Sequence, residues 1–99
     1  EMSQALSLGC LFQKFFPAEA AGGVRMLKSL LAAFRHTGVR IMPTGGINAG
    51  NIGSWLEIPE VAACGGSWIC ESPLIEAGDW EEIGRRTREA LKALKADAL

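Results

Sequence analysis

The sequence has no long apolar run, since no stretch approaches the ~20 consecutive apolar residues that a membrane-spanning helix needs. It has no excess of positive charge, because 10 Lys and Arg residues are set against 11 Asp and Glu residues, for a formal net charge of −1. No basic leader precedes an apolar segment at the N-terminus. We therefore expect a soluble protein that binds neither nucleic acid nor a membrane surface.

Cysteine is scarce and shows no pairing pattern. Cys10, Cys64 and Cys70 are odd in number and contain no Cys-x2-Cys spacing, which disfavours a disulfide framework or a zinc site. Each lies in or beside an apolar stretch, where a free cysteine usually serves as a small core residue. This usage predicts a reducing compartment, the cytoplasm.

The chain contains one pattern three times: a short apolar run, a glycine-containing turn and a helical segment. A helix tail that ends at Gly9 precedes the first run. The apolar runs span 11–16, 39–42 and 61–64, and the helical segments span about 24–34, 49–56 and 79–96. The pattern predicts an α/β fold with three parallel strands, each followed by a helix.

The 99 residues, with 48% hydrophobic content, can bury one core. Three parallel strands alone would leave two long edges exposed, although parallel strands are normally buried on both faces. We therefore expect residues 1–99 to form one partial domain that needs further strands.

Lys14 is a lone charge within the apolar run 11–16, which Pro17 ends. Because side chains alternate along a strand, Phe12, Lys14 and Phe16 share one face. Burial of an unpaired ammonium on this aromatic face would favour loss of its proton, and the neutral amine could then attack a ketone carbonyl. A second interpretation is that Lys14 extends to water or protects an edge strand from aggregation.

Two glycine pairs, Gly45-Gly46 and Gly65-Gly66, each follow a predicted strand and precede a helical segment. Glycine lets backbone N–H groups approach a phosphate or carboxylate closely. In (β/α)8 barrels, the last two strand-to-helix loops commonly form a phosphate site at the catalytic end. The pattern predicts that Lys14, Thr44 and Ser67 rise from neighbouring strand ends towards one mouth. A single glycine pair also marks ordinary tight turns.

Several segments, in their order and spacing, resemble the C-terminal half of the 2-keto-3-deoxy-6-phosphogluconate (KDPG) and 4-hydroxy-2-oxoglutarate (KHG) aldolases. These segments are Lys14-Phe15-Phe16-Pro17-Ala18-Glu19 with Gly22-Gly23-Val24, Pro43-Thr44-Gly45-Gly46-Ile47 and Gly65-Gly66-Ser67-Trp68. The similarity extends through Glu76-Ala77-Gly78-Asp79 into the last helix, so it covers nearly the whole chain.

The resemblance implies a metal-free and cofactor-free class I aldolase on a (β/α)8 barrel, assembled as a homotrimer. Such enzymes cleave a 2-keto-3-deoxy sugar acid phosphate, or a related hydroxy-keto acid, to pyruvate and an aldehyde. By the same resemblance, Lys14 is the Schiff-base lysine, Phe16 lies against the pyruvyl unit and Thr44 contacts the keto acid. The residues implied to bind the substrate phosphate are Gly45, Gly46, Gly66 and Ser67.

The sequence departs from the family in length, because such a barrel takes about 200 residues or more. In the family, the general-base glutamate and an arginine and a threonine that hold the keto acid come from earlier strands. We therefore expect this chain to be the C-terminal half, with the N-terminal half absent and little activity of its own. Glu19 is close to Lys14 in sequence, but a loop salt bridge or a helix cap is the expected role.

Other conspicuous residues have structural interpretations. His36 follows a helix and is expected to be a solvent-exposed cap. Three tryptophans are expected to pack helices on the sheet: Trp55, Trp68 and Trp80. Three arginines, interleaved with glutamates, are expected to form a solvated helix face: Arg85, Arg86 and Arg88.

Two alternatives to the aldolase remain open. One is a non-catalytic half-barrel that binds phosphate or associates with a partner chain. The other is a different phosphate-binding barrel enzyme, in which Lys14 acts otherwise. The substrate also remains open between a phosphorylated sugar acid and 4-hydroxy-2-oxoglutarate.

Overall fold

The computed structural model describes residues 1–94 and shows an α/β arrangement with parallel strands. In chain order the elements are α1 (Met2–Ser7), β1 (Phe12–Phe15), α2 (Gly23–Phe34), a 3-10 helix (Arg35–Thr37), β2 (Arg40–Pro43), α3 (Ile52–Leu56), a second 3-10 helix (Ser67–Cys70), α4 (Ser72–Glu76) and α5 (Trp80–Leu91). No helix in this part of the chain is both long and apolar enough to cross a bilayer.

Strands β1 and β2 pair in parallel, with Phe12 opposite Arg40 and Phe15 opposite Pro43. The predicted third strand, residues 61–64, is wrong as a continuous strand. It contributes one isolated parallel bridge at Val61, opposite Ile41, and a further bridge forms at Gly65, opposite Thr44.

Pro43 explains why the pairing between β2 and residues 60–65 is interrupted. The ladder starts regularly, since Ile41 N–H donates to the Glu60 carbonyl and Ala62 N–H donates to the Ile41 carbonyl. Proline has no N–H for the next bond of the ladder. Pairing resumes one residue out of step, where Gly65 N–H donates to the Pro43 carbonyl at 3.0 Å.

The core lies on one side of the two strands. Helix α2 contributes Leu27 and Leu31, both fully buried, as the helical spacing predicted. Helix α3 contributes Trp55, which is fully buried, and its ring lies 6.1 Å from the ring of Phe15 on β1. The helices therefore cover the face of β1 that carries Phe15.

The opposite face of β1 is bare. Phe12 is 56% exposed and Phe16 is 65% exposed, and Lys14 between them is exposed as well. The prediction that Lys14 is buried is wrong for this chain, because no part of residues 1–94 packs over that face. The alternation itself is confirmed, since exposure rises and falls with period two along β1.

Asn48 and Asn51 explain why α3 begins later in the sequence than predicted. The helix was predicted from about Ala49 but begins at Ile52. The side-chain oxygen of Asn48 accepts bonds from the N–H groups of Gly50 and Asn51, and the Asn51 side-chain oxygen accepts from Asn48 N–H at 2.8 Å. These local bonds favour a turn over a helix.

Helix α5 begins as predicted, because Asp79 caps it by accepting a bond from Glu82 N–H at 3.2 Å. Its predicted end near Ala96 lies outside the described residues. The prediction that Trp80 packs a helix on the sheet is wrong, since its side chain is 64% exposed. Helix α5 contacts α4 and the 3-10 helix at Ser67–Cys70, and its Ala90 packs against the core.

Candidate functional site

Three loops meet where the strands end. The Thr44 N–H donates to the Phe15 carbonyl at 3.0 Å, and the Ala18 N–H donates back to the Thr44 carbonyl at 2.8 Å. On its other side Thr44 bridges Gly65 in parallel. Thr44 therefore lies between the loop that follows β1 and the segment that begins at Gly65. The structure thus brings the ends of β1 and β2 and the segment at Gly65 together, while Ser67, predicted to face the same mouth, is exposed two residues beyond Gly65.

Lys14 lies one residue before the end of β1, opposite Met42 of β2. Its ammonium nitrogen lies 5.3 Å from the centroid of the Phe16 ring, a cation–π distance. Phe16 follows two residues later on the same face, so the aromatic neighbour predicted for this amine is present. Lys14 also borders a hollow of about 320 Å³, which Gln13 and Met2 help to line.

Thr44 carries an unusual hydroxyl. Its Oγ1 atom is buried and has no hydrogen-bond partner within residues 1–94. Buried hydroxyls in native proteins are nearly always paired, so an unpaired one calls for an explanation. Thr44 follows Met42 at a spacing of two, which places it at the end of the face that carries Lys14.

Gly45 and Gly46 are required by the packing of their loop. Both have positive φ angles, +100° and +80°, which side chains other than glycine rarely adopt. A Cβ atom at Gly45 would lie 3.0 Å from Pro17 Cα, and one at Gly46 would lie 2.8 Å from Glu19 Cβ. The two glycines let the loop after β2 approach the loop after β1.

The second glycine pair is equally close-packed. A Cβ atom at Gly65 would lie 2.7 Å from Thr44 Cγ2, and one at Gly66 would lie 2.1 Å from the Trp68 ring. Gly66 is in extended conformation and precedes Ser67, the first residue of the 3-10 helix. The ring of Trp68 is half-buried and covers the backbone of Gly66.

Glu19 has a role that neither predicted alternative described. Its Oε1 atom accepts the indole N–H of Trp55 at 2.9 Å and the side-chain amide of Asn51 at 3.2 Å. The same Asn51 amide donates to the Gly46 carbonyl at 2.8 Å. Glu19 thus ties the loop after β1 to α3 and the glycine turn. Sequence reasoning missed Asn51, because its partners lie 5 and 32 residues away.

The arginine cluster is only in part a solvated face. Arg85 pairs with Glu82 alone among the described residues, as expected of an exposed helix face. Arg86 instead donates to the Trp68 carbonyl at 2.6 Å, to Glu71 and to Glu82. Hydrogen bonds from Arg85 and Arg86 lower the pKa of Glu82 to about 2. The prediction of a solvated helix face is therefore wrong for Arg86.

His36 and two of the three tryptophans lie where the sequence predicted them. His36 is exposed, as predicted. Trp55 packs in the core and Trp68 packs against its edge, whereas Trp80 does not. A hollow of about 790 Å³ lies along the charged side of α5 and includes neither Lys14 nor Thr44. Within residues 1–94 no three His, Cys, Asp or Glu side chains are grouped to hold a metal ion.

Cys64 provides a test of the packing behind the site. Burial raises the pKa of the Cys64 thiol to about 11, whereas Cys10 and Cys70 are exposed. At pH 8 only ~0.1% of Cys64 is then thiolate, the reactive form. We expect iodoacetamide to modify Cys64 slowest of the three, with a rate that rises about tenfold per pH unit until pH approaches 11. Peptide mass spectrometry measures each rate, and modification of Cys64 as fast as Cys10 at pH 8 would contradict the burial.

Comparison with known proteins adds to this geometry. The family model described as "Aldolase: KDPG and KHG aldolase" matches residues 1–86. A 2-dehydro-3-deoxy-phosphogluconate aldolase from Haemophilus influenzae is 50% identical over 91 residues, which are 92% of this chain and 42% of that protein. A KHG/KDPG aldolase from Escherichia coli is 39% identical over 95 residues, 96% of this chain and 44% of that protein.

Solved structures show the same relationship. The KDPG aldolase of Legionella pneumophila, with pyruvate captured as a covalent carbinolamine intermediate, superposes with a TM-score of 0.80 at 38% identity, over 95% of this chain and 43% of that one. The 2-keto-3-deoxy-6-phosphogluconate aldolase of Zymomonas mobilis with 3-phosphoglycerate gives a TM-score of 0.82 at 38% identity, again over 95% and 43%. The chain thus spans less than half the length of the relatives it matches.

Proposed function

The chain belongs to the KDPG and KHG aldolase family, and from this premise we propose that the whole protein is a class I aldolase. Its substrate is 2-keto-3-deoxy-6-phosphogluconate or 4-hydroxy-2-oxoglutarate, cleaved to pyruvate and an aldehyde. It needs neither a metal ion nor an organic cofactor, since an amine supplies the electron sink.

One observation carries the proposal: Lys14 presents its amine at the carboxyl end of β1, over the Phe16 ring and on the face that ends at Thr44. A carbinolamine forms when an amine adds to a carbonyl carbon, and pyruvate is held in that form in the Legionella relative. Lys14 is suitably placed in this chain for such an addition.

The chemistry proceeds from the lone pair of Lys14 Nζ, which attacks the keto carbon to give a carbinolamine. Loss of water gives a protonated imine. A base removes the proton of the C4 hydroxyl, the C3–C4 bond breaks, and its electron pair moves through C3 to the imine nitrogen, which leaves an enamine and releases the aldehyde. Protonation at C3 and hydrolysis then return pyruvate and the free amine.

The base is proposed to come from a part of the protein outside this chain. Glu19 is a poor candidate, because its carboxylate already accepts bonds from Trp55 and Asn51. An N-terminal half that covers the bare face of β1 would also surround Lys14 with protein, which disfavours the charged ammonium and favours the nucleophilic amine. The exposed Phe12 and Phe16 side chains support such a cover.

The proposed substrate contacts come from residues beside Lys14 and from the two glycine turns. Phe16 is proposed to pack against the pyruvyl unit, and the unpaired hydroxyl of Thr44 to bind a keto-acid oxygen. The proposed phosphate ligands are the backbone N–H groups and hydroxyl of the two turns: Gly45, Gly46, Gly66 and Ser67. The Thr44–Gly65 bridge, which holds the two turns side by side, supports a shared phosphate site.

The larger architecture is also a proposal. Residues 1–99 would form the C-terminal half of a (β/α)8 barrel within one domain. The parallel pairing of β1, β2 and the bridges at Val61 and Gly65 supports this arrangement. We further propose a homotrimer in the cytoplasm. Exposed apolar side chains that a neighbouring subunit could cover, and three free cysteines, support those two points.

Trapping with pyruvate tests the proposal. We expect the full-length protein, incubated with pyruvate and borohydride, to gain one reduced pyruvyl group on Lys14, because borohydride reduces the imine to a stable secondary amine. Intact-mass and peptide-mass measurements locate it, and Lys28, exposed on α2, serves as the control amine. An unmodified Lys14 would remove the aldolase proposal.

The alternative, a non-catalytic phosphate-binding half-barrel, is supported by one observation. The Thr44–Gly65 bridge holds the two glycine turns side by side, an arrangement that can bind a phosphate without any catalytic group. Phosphate binding by the full-length protein without a pyruvyl adduct would favour this alternative over the aldolase.

A further inference from the structure

Arg86 connects helix α5 to the turn that contains Gly66, Ser67 and Trp68. It lies 18 residues from Trp68 in sequence, yet its Nη1 atom donates to the Trp68 carbonyl at 2.6 Å. The Arg86 side chain is only 26% exposed, whereas that of its neighbour Arg85 is 59% exposed. Arg86 is therefore part of the packing beneath the turn.

Two carboxylates hold the Arg86 guanidinium in place. Glu82 accepts its Nε–H at 3.0 Å, one helical turn away, and Glu71 accepts from Nη1. A planar guanidinium with several donors can satisfy three acceptors at fixed angles, which a lysine ammonium on a flexible stem cannot do with the same geometry. The positive charge is thus matched locally and is not free to act on a distant anion.

Trp68 links Arg86 to the backbone of Gly66. With its carbonyl held, the indole ring of Trp68 lies against Gly66, so closely that a Cβ atom there would be 2.3 Å from the ring atom Cε3. The same Cβ atom would lie 3.1 Å from the Ile47 carbonyl of the first glycine loop. Trp68, which Arg86 holds, and the loop after β2 therefore both pack closely against Gly66.

We propose that Arg86 is a positioning residue for the phosphate turn: it fixes the Gly66–Trp68 backbone for phosphate binding without touching the substrate. This inference rests on the proposed function for the identity of the anion. It assigns Arg86 to discrimination between phosphorylated and non-phosphorylated keto acids. A displaced backbone weakens a contact to the phosphate and leaves imine formation at Lys14 intact.

The test uses the full-length protein with Arg86→Met and, as matched control, Arg85→Met, which loses a pair with Glu82 but no bond to Trp68. Two substrates are compared, 2-keto-3-deoxy-6-phosphogluconate and the same sugar acid without its phosphate. We expect Arg86→Met to raise KM for the phosphorylated substrate about tenfold or more, with kcat and the kinetics of the non-phosphorylated substrate within about twofold of wild type. Arg85→Met should change neither.

A binding measurement makes the result independent of catalysis. Calorimetric titration with inorganic phosphate should show about tenfold weaker binding to Arg86→Met than to wild type or Arg85→Met. Arg86→Lys keeps the charge but not the fork of donors, so it should weaken binding too and serves if Arg86→Met does not fold. Equal phosphate affinity in the Arg86 and Arg85 variants, or an equal loss with both substrates, would overturn the inference. Absence of the pyruvyl adduct in wild type would instead overturn the proposed function, whatever the phosphate titration shows.

Discussion

Replacing Lys14 with arginine in the full-length protein is expected to reduce aldol cleavage by about 10⁴-fold or more and to abolish the pyruvyl adduct. Arginine keeps the positive charge and a long side chain, and it can still lie over the Phe16 ring. It stays protonated at every accessible pH, so it has no lone pair to attack the keto carbon. The loss should appear in kcat, because no later step can proceed without the imine.

The matched control is Lys28→Arg on the exposed side of α2. This variant should keep kcat and KM within about twofold of wild type, since surface substitutions away from such features have small effects. Circular dichroism and a thermal scan check that Lys14→Arg folds, which is expected because arginine keeps the charge and the long side chain. Retention of more than about a tenth of wild-type turnover by Lys14→Arg would rule out the covalent mechanism.

Replacing Trp55 with alanine is expected to have the largest effect on stability. The side chain is fully buried, its ring lies 6.1 Å from that of Phe15, and its N–H donates to Glu19 at 2.9 Å. Removing a buried tryptophan typically costs about 3–5 kcal/mol, through lost apolar burial and the cavity left behind. Urea unfolding of the full-length protein measures the change in the free energy of unfolding.

Trp55→Phe separates the two contributions. Phenylalanine keeps much of the apolar volume but cannot donate to Glu19, so the expected cost is smaller, about 1–3 kcal/mol. Adding Glu19→Ala, which removes the acceptor, to each variant gives a double-mutant cycle for the bond between Trp55 and Glu19. A cost below about 1 kcal/mol for Trp55→Ala would mean that α3 does not hold the loop after β1 as described.

Much of the fold could be predicted from local sequence. Period-two alternation along β1 placed Phe12, Lys14 and Phe16 on one face, and the spacing of Leu27 and Leu31 identified the buried side of α2. These features were predictable because neighbours within a few residues fix them. The interrupted pairing between β2 and residues 61–65 was not predicted, although Pro43 was a local signal that one backbone hydrogen bond between these segments would be lost.

From the sequence, the residues of the site could be predicted, but most of their contacts could not. The ends of β1 and β2, which carry Lys14 and precede Thr44, do meet, because parallel strands bring their carboxyl ends to one edge, and Gly65 joins them through one bridge to Thr44. The partners of Glu19 and of Arg86 could not be predicted. The bonds to Trp55 and Trp68 cross 36 and 18 residues, and no local pattern encodes which side chains meet over such separations.

By itself, the sequence determined strands β1 and β2, the buried side of α2, the start of α5 and the family to which the chain belongs, because periodicity and motif spacing are properties of the local chain. Only the tertiary structure decided which face of β1 the helices cover, that Glu19 binds Trp55, and that Arg86 holds the turn at Trp68. Those outcomes depend on which surfaces come into contact when distant segments pack, and burial and hydrogen bonding are set by that contact.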